Sequence, residues 1–274
     1  MKLRIKLLAF LPFIFSIADG TFTAKEYSYH FTFSSEKKMH VGEELNYIVR
    51  YSFINLGEVK VRVKDKKTIN GRNYYNVIAY IDSYDGIPFV NLHQIYESKV
   101  NPDYYSEFFR GIVKGDDYTT YTEYYFDYHD SKIRIKRGKF SPRELWIDST
   151  TSAEKQYHDG LSIFYFARML SGKKTSMLLP CFVNEQKVYT KMNFYENTIP
   201  VSIDAIKYDV ECVRLDGDME FISIFGLTGY FEGWFSNDEA SIPIVANMKV
   251  LIGNITLELS NWKREGWTPP KYKN

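Results

Sequence analysis

Apolar and polar residues alternate along most of this chain, and that two-residue period constrains its fold more than any other feature. Val59, Val61 and Val63 are interleaved with Glu58, Lys60, Arg62 and Lys64. Successive side chains of a strand point to opposite faces, so such a segment buries one face and wets the other. Residues 45–53 place Leu45, Tyr47, Val49, Tyr51 and Phe53 on one face, with Ile48 as the exception on the other. Asn55-Leu56-Gly57 then reads as a hairpin turn, and Asn70-Gly71 as the next. The same pattern predicts strands over 73–84, 90–100, 104–114, 118–128 and 132–137. It returns over 187–195, 206–215, 221–224, 228–235 and 248–259. The stretch from Trp234 to Pro243 reads as a hairpin turning at Asn237-Asp238. Short antiparallel strands in this number imply a mainly β fold: a large curved sheet, barrel-like or two-sheet.

One segment breaks the period and predicts a helix near 160–171. Asp159 is placed to cap its start and Gly172 to end it. Leu161, Phe164, Tyr165 and Arg168 follow helical spacing, and Ile163, Phe166, Ala167 and Leu170 make the other sides apolar too. A helix apolar all round must be buried, here against the open face of the sheet or inside its mouth.

Residues 1–20 read as a secretory leader: Lys2, Arg4 and Lys6, an apolar run from Leu7 to Ile17, then Ala18, Asp19 and Gly20. A helix of that length spans only ~18 Å against ~30 Å of hydrocarbon, so it is too short for an anchor. No cysteine lies near the cut to carry a lipid. The expected product is one periplasmic or otherwise exported, soluble, β-rich domain over 21–274, its tail fraying after Trp262. The formal charge of +1 belongs to the whole chain; without residues 1–20 there are 32 basic against 33 acidic residues. That balance argues against a dedicated nucleic-acid binder. Cys181 and Cys212 allow one disulfide or two buried thiols that never meet.

Three stretches carry a resemblance. Gly42-Glu43-Glu44-Leu45-Asn46-Tyr47 with 53–59 resembles the opening hairpin of the exported bacterial family of domain of unknown function 3108. Asp159-Gly160-Leu161-Ser162 with Phe164, Tyr165 and Arg168 resembles its central helix. Trp234, Ser236, Asp238, Ile242-Pro243, Gly253 and Leu259 are similar to its C-terminal hairpin. Over about 40–262, the resemblance implies a β-rich protein of the Gram-negative envelope, and the composition would suit the Bacteroidota. It brings no activity, so no catalytic residue is carried over.

Chemistry-bearing patterns are sparse. His30, His40, His93, His129 and His158 show no metal-ligand spacing, and no cofactor motif is present. Ser162 lacks the glycine two residues later that a nucleophile elbow needs; Phe164 stands there. Asp116, Asp117, Glu123, Asp127 and Asp148 leave a paired-carboxylate hydrolase open. Two basic stripes, Lys60 to Lys67 and Lys132 to Lys139, read as charged outer faces that discourage edge pairing, or as contacts for anionic headgroups. The aromatic excess, with Tyr118, Tyr121, Tyr124, Tyr125 and Tyr128 in one strand and Phe89, Tyr96, Tyr104, Tyr105, Phe108 and Phe109 before it, is first a matter of sheet packing. It also suits an aromatic-lined concavity. The expected ligand-binding set is Tyr47, Tyr51, Tyr124, Phe164, Tyr165, Arg168 and Trp234. The expected function is non-enzymatic binding of a lipid, glycolipid or other amphiphilic envelope component. An envelope scaffold that binds another protein is the alternative, and a hydrolase of envelope glycans or lipids comes third.

Overall fold

The computed structural model describes residues 38–87, 91–223, 228–249 and 254–273; the predicted leader and Phe89 lie outside them. The described residues belong to one compact unit. Among the described residues it holds fourteen strands: β1 (Glu44–Tyr51), β2 (Ile54–Ile69), β3 (Arg72–Ser83), β4 (His93–Val100), β5 (Ser106–Lys114), β6 (Thr119–Asp127), β7 (Lys132–Lys139), β8 (Glu144–Ser152), β9 (Thr175–Val183), β10 (Gln186–Val201), β11 (Val210–Met219), β12 (Gly229–Ser236), β13 (Pro243–Lys249) and β14 (Asn254–Lys263). They make one antiparallel sheet in the order β8 down to β1, then β14 down to β9. Every neighbouring pair is consecutive in sequence except β1 and β14, where the two ends of the meander join.

The sheet is open, because its edge strands β8 and β9 do not pair. Side chains close the seam instead. Phe182 of β9 packs edge-on against Tyr124 and Phe126 of β6, with ring centroids 4.9 and 6.0 Å apart. The Tyr124 hydroxyl accepts the Glu185 N–H at 3.2 Å. Strand β8 therefore overhangs the seam and is exposed along nearly its whole length. Inside, Leu45, Val59, Ala79, Tyr96, Phe109 and Tyr124, one from each of β1 to β6, lie on the buried face. Outside, the basic stripes meet acids on nearby strands: Arg62 and Lys60 of β2 pair with Glu44 of β1, Lys64 with Glu97 across β3, and Arg134 of β7 with Asp148 of β8.

The chain between β8 and β9 enters the interior and forms helix α1 (Ser162–Leu170), of which eight of nine residues are buried. Fully burying one such apolar side chain is worth about 1.5–3 kcal/mol, so the helix is bound to the sheet by its own composition. Asp159 stands two residues ahead of the helix N-cap, Leu161, and its Oδ1 accepts the N–H groups of Leu161 and Ser162 at 2.7 and 2.8 Å. Gly172, at φ 76°, turns the chain out of the last turn.

Several expectations change. The first hairpin turns at Ser52-Phe53, not at Asn55–Gly57, and Phe53 is 89% exposed. Gly57 lies inside β2, where a side chain would run into the Asp82 carbonyl of β3. The segment expected as one strand over 248–259 divides between β13 and β14, and Phe221–Ser223 is not a strand. The tail is tied down rather than frayed: Glu211 N–H donates to the Pro270 carbonyl and Tyr272 N–H to that of Asp209, each at 2.8 Å. Cys181 and Cys212 are free buried thiols.

Candidate functional site: an apolar trough around the helix

Helix α1 fills only part of the interior, and hollows with shared walls occupy the rest. One of about 80 Å³ is lined by Leu45, Tyr47, Val59, Phe164, Tyr165, Arg168 and Leu257 among others. A second, of about 70 Å³, is walled by Ile163, Met192, Phe221, Phe231 and Met248. Phe164 and Ala246 line both, so the Phe164 ring stands between them. A third, of about 190 Å³, shares Val59 and Leu257 with the first and extends to Leu56, Ser83, Leu92 and Ile255. A fourth, of about 140 Å³, shares Gly160, Val183 and Ser223 with the second and extends to Val113, Thr120 and Asn184. Together they trace a trough from the helix toward the strand ends that carry the Ser52-Phe53, 115–118 and 184–185 turns, apolar beside the helix and nearly half polar where Thr120, Thr122 and Asn184 line the fourth hollow.

Two buried polar clusters hold the helix in place beside this trough. At its start, Asp159 Oδ2 accepts hydroxyl hydrogens from Ser98 of β4 and Ser106 of β5, each at 2.5 Å. With the two backbone donors, four hydrogen bonds reach this carboxylate; burial nonetheless pushes its pKa up. At the other end, Arg168 donates to Glu43 Oε1 and Oε2 at 2.6 and 3.1 Å and to the Ala240 carbonyl at 2.9 Å. Arg264 also pairs with Glu43. Lys38 donates to the Arg168 carbonyl at 2.7 Å, and burial, helped by the Arg168 charge, lowers its pKa to about 8. The helix thereby spans the interior from β4 and β5 to the chain segments flanking β1, β13 and β14.

The expected binding residues divide. Tyr47, Phe164, Tyr165 and Arg168 meet at the first hollow. Tyr124 lines the fourth, in a stack with Phe109 at 5.4 Å that continues to Tyr96 at 5.8 Å. Tyr51 and Trp234, both half-buried, are not among the residues that line these hollows. Tyr47 donates to the Pro243 carbonyl at 3.0 Å, and burial raises its pKa and that of Tyr165 far above the usual phenol range, so both stay neutral. Arg168 is held by Glu43 and the Ala240 carbonyl, so its part is to fix the wall. Ser162 Oγ accepts the Asp159 N–H at 2.9 Å and lies 3.0 Å from Ser106 Oγ, which makes it part of the helix anchor.

Sequence reasoning missed most of the wall. Leu45, Val59, Met192, Phe231, Met248 and Leu257 read individually as ordinary core residues, and only the curl of the sheet turns them toward a common space. Glu43 had a signal: an acid inside the opening motif, with Arg168 as the basic residue of an otherwise apolar helix.

These features define a class: an open, curled β-meander with an internal helix and an apolar trough beside it. The chain belongs to a family described as protein of unknown function (DUF3108), whose model matches residues 46–260. Two solved structures are similar to it. A beta-barrel-like protein of domain of unknown function DUF1849 from Brucella abortus is 14% identical, with 81% of this chain and 97% of that one covered at a TM-score of 0.49. A protein with a YmcC-like fold from Bacteroides fragilis is 10% identical, with 82% of this chain and 96% of that one covered at a TM-score of 0.36. None of the curated proteins matches the chain.

Proposed function

We propose that the protein is an exported, non-enzymatic carrier or sensor that binds the hydrocarbon part of an amphiphile in the interior trough. One observation carries this reading. Two adjoining hollows of about 80 and 70 Å³ share Phe164 and Ala246 as walls, and the surfaces they present are almost wholly apolar. An enclosed space walled by apolar side chains suits an apolar guest, and ligand sites are concave, largely apolar and mostly pre-formed. The polar groups around it are consumed in anchoring the helix, which leaves the walls free to contact methylene groups. Export rests on the leader pattern at residues 1–20.

The test is binding of a monomeric fluorescent fatty acid, together with native mass spectrometry of the purified protein. The wild-type chain should bind at micromolar or lower concentration. Phe164→Arg should lose at least tenfold in affinity while keeping its melting temperature within a few degrees, because the side chain is 37% exposed. Equal binding by both chains, or none by the wild type, overturns the reading.

A second reading has its own observation. Strand β8 is exposed on both faces with an unpaired edge, the condition under which a sheet accepts a further strand. A scaffold of that kind would keep its partner in Phe164→Arg and lose it when a proline is placed in β8.

A further inference from the structure

We infer that the protein loads at a lipid surface, docking through the apolar tips that surround the open end of the trough; the inference rests on the amphiphile reading and names where that ligand comes from. The two ends of the sheet differ. At the end where the hollows reach Leu56, Leu92, Thr120 and Asn184, large apolar side chains stand out of the turns and strand ends. Phe53 is 89% exposed, Ile222 56%, Leu145 52%, Tyr118 47% and Trp146 43%. Tyr118 and Trp146 touch edge-on at 5.6 Å, and the Asn184 side chain donates to the Ile222 carbonyl at 2.9 Å. The tips are thus tied to the same turns that bound the trough. The opposite end presents Asn70-Gly71-Arg72, Asp103, His129 and Asp130, with Val41 and Ile69, 40% and 38% exposed, as its large apolar side chains.

A bilayer fits these tips better than a protein does. They stand on several turns and on the first residues of β8, all at the end of the sheet where the trough opens, so they can enter the headgroup layer together. Aromatic and aliphatic tips partition into that layer on their own. Nearby charges among the described residues include Lys114 and Arg143 beside Asp116, Asp117 and Glu144, two bases against three acids. Docking should therefore be apolar in character, and neutral membranes should serve. A guest leaving the bilayer would enter hydrocarbon first, toward Phe164, with its polar head left at the rim.

The experiment is co-sedimentation with phosphatidylcholine vesicles, using the full chain and the chain from Thr21 on. The readout is repeated for the pair F53D/I222D and for F164R, alongside binding of the monomeric fluorescent fatty acid in solution. The wild-type chain should partition onto vesicles at low and at high salt. The rim pair should lose at least tenfold in partitioning yet still bind the monomeric probe; F164R should do the reverse. Vesicle binding that survives the rim pair, that vanishes once residues 1–20 are absent, or that vanishes in high salt overturns the docking. Loss of probe binding in the wild type, with vesicle docking intact, overturns the amphiphile reading instead.

Discussion

His158 shows how far burial alone can set a residue's chemistry. It is fully buried, stacked on Tyr105 at 4.4 Å and against Phe166 at 4.6 Å. Neither ring nitrogen has a partner in hydrogen-bond geometry. Burial pushes its pKa down to about 3, outweighing the opposing effect of the Tyr104 backbone. The unfolded chain therefore takes up a proton below about 6.5 that the folded chain refuses until about 3. Stability from this site is intact above 6.5 and falls as the pH drops through that window, by at most about 1.4 kcal/mol per pH unit. His158→Phe keeps the stacking and removes two unsatisfied polar atoms. Urea unfolding at pH 7 should show stability unchanged or raised, and at pH 4.5 clearly raised relative to wild type. A loss at both pH values would mean that the imidazole is hydrogen-bonded after all.

At the scale of elements, the helix and the two edge strands repay comparison with their sequences. The helix was legible because an all-round apolar segment flanked by Asp159 and Gly172 has few alternatives; its bounds differ by a residue or two from those predicted. Its anchoring was not legible, since Glu43, Arg168 and Arg264 are far apart in the chain and meet only in the fold. Glu43→Gln would leave two buried guanidinium groups without their shared counter-charge, a loss of about 3–5 kcal/mol where a buried pair is broken on one side. Chemical denaturation should read that loss, and an unchanged midpoint would show that water reaches the cluster. Strands β8 and β9 escaped prediction for opposite reasons. Strand β8 is wet on both faces, so nothing enforces a two-residue period. Strand β9 runs Leu-Leu-Pro-Cys-Phe-Val, and its proline argues against a central strand; at an edge it is tolerated, and the Pro180 carbonyl accepts the His158 N–H at 2.9 Å. The turn between β9 and β10 places Asn184 and Glu185 at φ 51° and 63°, a conformation that Asn-Glu does not advertise as Asn70-Gly71 does.

Across the whole molecule, the seam decides whether the curled sheet holds its trough. Lys187 of β10 reaches Glu154, just beyond β8, at 2.6 Å, and its hydrogen bond, with that of Ser152, brings the Glu154 pKa down from 4.5 to about 2. A depressed carboxyl contributes stability above its ordinary pKa and loses it as the pH falls toward the depressed value. Titration of the Glu154 carboxyl by NMR should give a midpoint near 2; a midpoint near 4.5 would mean that the seam stands open in solution. The alternation of apolar and polar residues by itself determined that this chain is an antiparallel sheet with one wet face, because side-chain direction along a strand depends only on local backbone geometry. The apolar helix likewise had to be buried. Which strands became edges, where the first hairpin turned, and which core residues face empty space were decided by tertiary structure alone. Those outcomes depend on how far the sheet curls and what packs across its seam, and both are set by contacts such as Phe182 on Tyr124 and Arg168 on Glu43 between residues remote in the chain.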